Sequence, residues 1–125
     1  TTGQNNTASG YNALVSNTSG DYNTASGNDA LQKNTTGEYN TAIGYEAGIN
    51  ITTGSNNTII GSNAEASFNG INQIVIGHRA SGIGDNIAVI GNQIIATNSI
   101  GNYTVTLSNN PDLSNLDSFS TFLIT

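Results

Sequence analysis

The 125 residues contain no cysteine, no methionine and no tryptophan, and Pro111 is the single proline. Without cysteine there is no disulfide framework and no thiolate metal site. Charge is scarce as well: Lys plus Arg is 2, Asp plus Glu is 8, the net charge is −6, and only 8% of residues are charged. That is well below the usual quarter. Two cations neutralise few phosphates, which argues against nucleic acid and against an anionic membrane surface. No run reaches the ~18 apolar residues of a membrane span, so direct membrane insertion by this stretch is not expected. No signal peptide is visible. The chain does not begin on Met, which suggests an internal piece of a longer protein. A sulfur-free chain rich in Asn, Thr and Gly suits an oxidising extracellular setting.

What is present is a repeat. GEYNTAIGYEAG runs from Gly37 to Gly48. Earlier forms are GQNNTASGYNAL from Gly3 and GDYNTASGNDAL from Gly20. Later forms are GSNNTIIGSNAE from Gly54, GINQIVIGHRAS from Gly70 and GDNIAVIGNQII from Gly84. The opening glycines are 17, 17, 17, 16 and 14 residues apart. The closing glycines are Gly10, Gly27, Gly44, Gly61, Gly77 and Gly91, always seven residues after the opening one. A unit this short cannot bury a core alone and must stack on its neighbours. Residues 1–95 therefore form the repeat domain, and 96–125 read as a capping or neck-like segment.

Between the two glycines the fourth, fifth and sixth residues run Thr-Ala-Ser, Thr-Ala-Ser, Thr-Ala-Ile, Thr-Ile-Ile, Ile-Val-Ile and Ala-Val-Ile. Glycine frequency and β-branching disfavour helix here, so a strand of about five residues is expected. The glycines mark its corners. The first three copies read as small and polar inside (Thr, Ala, Ser). A second short strand is expected after the closing glycine, with Ala13, Ala30, Ala47, Ala64, Ala80 and then Ile94 at a closely packed position. The Asn/Thr/Ser linkers that follow are turn formers. The fold class is all-β: a parallel β-solenoid of about six coils of 14–17 residues. Asn6, Asn23, Asn40, Asn57 and Gln73 form a column whose amides are expected to bond to one another as a ladder.

In the last three copies, neighbours in the strand are Ile59 and Ile60, Val75 and Ile76, Val89 and Ile90. Neighbouring side chains point to opposite faces. One of each pair fills the coil, and the other makes an outward apolar strip, which is expected to drive self-association. GNYTVTL from Gly101 admits two readings, a degenerate seventh coil or a capping strand. The segment from Pro111 to Thr125 reads as a short amphipathic helix or as an extended stretch across the solenoid end.

The run NTASGYNAL, NTASGNDAL, NTAIGYEAG, NTIIGSNAE, IVIGHRAS resembles the head repeats of trimeric autotransporter adhesins and related repeats of bacteriophage tail-fibre proteins. The resemblance covers Gly3 to Ile95. It implies a left-handed β-roll, a homotrimer, and a role in attachment at a bacterial cell surface or in a virion fibre. Most coils here are 17 residues, longer than the adhesin repeats. The shared positions are structural, so no binding residues carry over.

Candidate sites are few. His78, followed by Arg79, would meet its symmetry mates on a trimer axis and hold a metal or anion, but a surface corner is the favoured reading. Asp21 with Glu38, and Asp29 with Glu46, stack in pairs that suit calcium, but solvated surface charge is favoured. No cofactor is called for, and no catalytic residue is identified. Asn5, Asn17, Asn34, Asn50, Asn56 and Asn102 begin Asn-x-Ser/Thr triplets. Tyr11, Tyr22, Tyr39 and Tyr45 offer a sugar-stacking face or ordinary edges between coils. Thr7, Thr24, Thr41 and Thr58 form a column of the kind that orders water on ice-binding solenoids. The expected role is a non-enzymatic extracellular fibre or adhesin segment that presents a face to host glycan or matrix protein. Ice binding and a tail-fibre shaft are the alternatives.

Overall fold

The computed structural model describes residues 2–91, 93–99 and 102–104, with side chains through Gly91. It is all-β. Six parallel strands stack in sequence order: β1 (Thr7–Ser9), β2 (Thr24–Ser26), β3 (Thr41–Ile43), β4 (Thr58–Ile60), β5 (Ile74–Ile76) and β6 (Ile87–Ile90). Every pairing from β1 to β5 joins equivalent repeat positions, such as Ala25 to Ala42 and Ile59 to Val75. The result is a β-solenoid of about five turns. β1 to β5 span three residues and β6 four, not five, because left-handed residues such as Tyr22 (φ 57°) and glycines such as Gly27 (φ 141°) bound them.

The expected second strand is absent. After each closing glycine the chain turns. The residues two beyond it, Asn12, Asp29, Glu46, Asn63 and Arg79, all have φ between 53° and 56°. A left-handed residue at that place cannot continue an extended segment. The turns still stack: Leu14 N–H donates to the Ala30 carbonyl (3.1 Å), and Leu31 N–H donates to that of Ala47 (3.0 Å). One β-bridge, Glu65 to Ser81, is all the strand pairing on this side among the described residues.

The interior takes one residue from each of β2 to β6, while Ala8 of β1 is exposed at the first coil. Ala25, Ala42, Ile59, Val75 and Val89 are buried. Thr and Ser of β1 to β4 lie on the outer face, contrary to the expectation that they fill the first coils. Ala30, Ala47, Ala64 and Ala80 form the opposite wall. Leu14, Leu31 and Ile51 complete the core. The drift along the repeat is volume compensation. The strand position grows from Ala42 to Ile59, while the turn position shrinks from Leu31 to Gly48. A Cβ on Gly48 would lie 2.9 Å from Ile59 Cδ1 and 3.1 Å from Leu31 Cδ2, so the missing side chain is where those two meet. Close packing demands this exchange.

The amide column is buried and bonded, though mostly not amide to amide. Asn23, Asn40, Asn57 and Gln73 each donate a backbone N–H to the side-chain oxygen one coil earlier (2.8–3.0 Å). The side-chain amides of Asn23, Asn40 and Asn57 donate forward to the carbonyls of Gly37, Gly54 and Gly70 (2.7–2.8 Å). Only Asn57 Nδ2 to Asn40 Oδ1 (3.0 Å) joins two amides within this column.

The sixth copy contributes a strand but not a closed coil. After β6 the chain reverses into β7 (Gln93–Ser99), antiparallel to β6, and β8 (Asn102–Thr104) pairs antiparallel with β7. Gly91 accordingly has φ 65°, against 131–141° at the other closing glycines. GNYTVTL is thus not a seventh parallel coil where it is described. Ile94 lies in β7, and its side chain and residues 105–125 lie outside what is described.

Candidate functional site: the outward faces of the solenoid

The outer face of the sheet carries two columns. The first is Thr7, Thr24, Thr41, Thr58, Ile74 and Ala88, in register from coil to coil. The second is Ser9, Ser26, Ile43, Ile60, Ile76 and Ile90, equally in register. The predicted strip is therefore sorted. Ile59, Val75 and Val89 point in and are at most 3% exposed. Ile60 and Ile76 point out and are half-buried, while Ile43 and Ile90 are 43% and 44% exposed. Ile74, also 43% exposed, widens the strip at β5. The face grades from hydroxyls at β1 and β2 to pure hydrocarbon at β5.

Gly10, Gly27, Gly44, Gly61 and Gly77 hold the corner that ends β1 to β5, whereas Gly91, with nothing within 4 Å of a Cβ, does not. At Gly44, φ is 134°, and a Cβ would lie 2.7 Å from both C and O of Gly61 in the next coil. Conformation and contact both demand glycine there.

The opening corner carries a second left-handed column: Asn5, Tyr22, Tyr39, Asn56, Asn72 and Asn86, with φ of 56–61°. Asn is at home in this region, whereas a bulky residue costs roughly 1–2 kcal/mol. Tyr22 and Tyr39 nevertheless occupy it in adjacent coils. Their rings stack, with centroids 5.0 Å apart and planes 4° from parallel. They are 50% and 53% exposed. Tyr11 and Tyr45 lie on the other corner, separated by the coil that carries Asn28, so the four tyrosines do not make one face.

Three of the four acids in the predicted pairs, Asp21, Asp29 and Glu46, accept hydrogen bonds from N–H groups of neighbouring residues. Asp21 Oδ1 accepts the Gln4 N–H (2.6 Å). Asp29 Oδ1 accepts from Asn12 Nδ2 (3.1 Å) and Gln32 Nε2 (2.5 Å), and Glu46 Oε2 from Asn63 Nδ2 (2.7 Å). The Glu46 carboxylate also raises the pKa of the Tyr45 hydroxyl above its usual value. Among the described residues no three His, Cys, Asp or Glu converge on a metal position. His78 and Arg79 are exposed at the corner after Gly77. Of the glycosylation triplets, Asn17 and Asn34 are buried and unable to accept a sugar in the folded chain, while Asn5, Asn50 and Asn56 are exposed. Asn34 Nδ2 bonds Asn17 Oδ1 (2.9 Å). The next coil has Ile51 at that place, which leaves Asn34 Oδ1 without a partner.

Glu65 carries no repeat signal, yet it is the most perturbed acid described. Its Oε2 accepts from the Asn50 N–H (3.1 Å) and Nδ2 (3.3 Å), while its Oε1 has no partner. Burial raises its pKa from 4.5 to about 7, against the opposing effects of Asn50 and Lys33. It sits where the coil shortens from 17 residues to 16.

Comparison with family models, curated proteins and solved structures gives no match for this chain, so any functional reading rests on its own residues.

Proposed function

We propose that this chain is a non-enzymatic segment of an extracellular fibre or adhesin, assembled through the outward Ile strip and presenting its remaining faces to a host or substratum. The observation that carries the reading is the sorted sheet face. Four to five isoleucines in consecutive coils lie side by side on the outside of a narrow solenoid. A monomer rarely leaves such a strip in water. Closed symmetry satisfies it with copies of itself. The resemblance to autotransporter head repeats favours three chains, and it favours a bacterial surface or a virion fibre as the location. Binding of the purified chain to a glycan array and a matrix-protein panel, without product release from polysaccharide, is the expected result. Release of product would replace this reading with an enzyme.

A second reading has its own observation. Thr7, Thr24, Thr41 and Thr58 stand outward in register, and Ser9 and Ser26 stand two residues on. That hydroxyl array supports ice binding by the N-terminal coils. Thermal hysteresis of the chain, abolished by Thr41→Val, would favour it over adhesion.

A further inference from the structure

We propose that Tyr22 and Tyr39, with the carboxylates of Asp21 and Glu38 beside them, form a docking site for an arginine-bearing polypeptide segment. This rests on the surface-binding reading above and names the partner's chemistry. The first support is the column itself. Four of its six members are Asn, the residue that the left-handed corner accepts most readily. Tyrosine at Tyr22 and Tyr39 opposes the local backbone preference, so the backbone conformation does not account for the pair.

The second support is what the rings offer. They cover one another on their inner faces. The outer face of Tyr22 looks toward the coil of Asn5, and that of Tyr39 toward the coil of Asn56, both short and exposed side chains. Each outer face is thus open to a flat group. A guanidinium is flat, weakly hydrated and stacks on aromatic faces, whereas an ammonium does so less well.

The third support is charge. Asp21 reaches toward the coil of Gln4, the side on which the outer face of Tyr22 opens. Glu38 is exposed next to Tyr39. The chain carries 8 acids against 2 Lys plus Arg. A cationic partner is steered to it, and an anionic one is repelled.

The test compares the parent with Y22N/Y39N, which installs the residue that the column uses elsewhere. A short alternating Gly-Arg peptide, its Gly-Lys counterpart and maltohexaose are titrated at about 0.15 M ionic strength, where exposed charges are largely screened beyond a Debye length. The Gly-Arg peptide should bind the parent about tenfold more tightly than the Gly-Lys peptide. Y22N/Y39N should lose that preference while melting at the same or a higher temperature. Equal Arg and Lys binding, binding indifferent to the double substitution, or no binding would overturn the proposal. So would a lower melting temperature for Y22N/Y39N, which would make the pair a structural staple, or maltohexaose binding lost in Y22N/Y39N, which would make it a sugar site. Light scattering on the same samples keeps the two readings apart. A monomeric parent that prefers Gly-Arg contradicts only the assembly, and an assembled parent without that preference contradicts only the docking site.

Discussion

At the scale of the residue, three side chains make separable predictions. Gly44 combines a φ of 134° with a 2.7 Å approach to Gly61. Gly44→Val should cost upwards of about 3 kcal/mol in denaturant unfolding, since strain and a backbone clash add. A variant that unfolds with the parent would mean the corner is not held by Gly44. Asn40 donates Nδ2 to Gly54 O, accepts the N–H and Nδ2 of Asn57, and donates its N–H to Asn23 Oδ1. Asn40→Leu should cost roughly 2–4 kcal/mol, because buried backbone groups lose their partners, and Asn40→Gln less, since Gln73 fills the same column. Glu65 has its folded pKa raised from 4.5 to about 7. The folded state therefore holds the proton more tightly than the unfolded one. Its contribution to stability is greatest below pH 4.5 and falls as pH rises through about 7. In thermal melts, E65Q should match the parent in acid and exceed it above neutrality. A parent-minus-E65Q difference that does not change with pH would remove Glu65 from the account.

At the scale of the element, the three-residue strand was the most legible part of the chain. Its position followed from β-branching between glycines, and β1 to β5 fall on those residues. The strand length and the missing second strand depart from the sequence expectation for one reason, the left-handed columns. Asn at a fixed offset from glycine is a signal for that conformation, but Tyr22, Tyr39, Glu46 and Arg79 at the same offsets masked it. The inner column of Leu14 and Leu31 was missed because Gly48 and Glu65 interrupt it. Periodicity does not report a core position that empties as its neighbour fills. Alternation alone does not say which member of each Ile pair points in. Ile59 is buried and Ile60 lies outside, so the two substitutions must separate. Ile59→Asp should unfold the chain, with a cost above about 4 kcal/mol for an unpaired buried charge. Ile60→Asp should leave the circular-dichroism strand signal intact and change stability of the isolated chain by less than about 1 kcal/mol. Equal damage from both would contradict the assigned faces.

At the scale of the whole molecule, the solenoid has a thin core and two unlike ends. Alanine fills the strand and turn walls of the first coils, with one larger aliphatic in each (Leu14, Leu31, Ile51), and ladders of backbone and Asn bonds run beside this thin core. Stability in such a stack accumulates between neighbouring coils. At the C-terminal end β7 pairs antiparallel with β6 and β8 with β7, so the edge that β6 would have left open is covered. The side remains. Ile43, Ile60, Ile74, Ile76 and Ile90 would each gain on the order of 1 kcal/mol on burial against another copy. That gain is the basis for assembly, and assembly is the central claim. Light scattering of the parent and of Ile60→Asp at micromolar concentration tests it most directly. The account predicts a multi-chain parent, three-fold if the resemblance to autotransporter heads holds, and a folded monomer for Ile60→Asp. A parent that is monomeric, or an Ile60→Asp assembly of undiminished size, would contradict it.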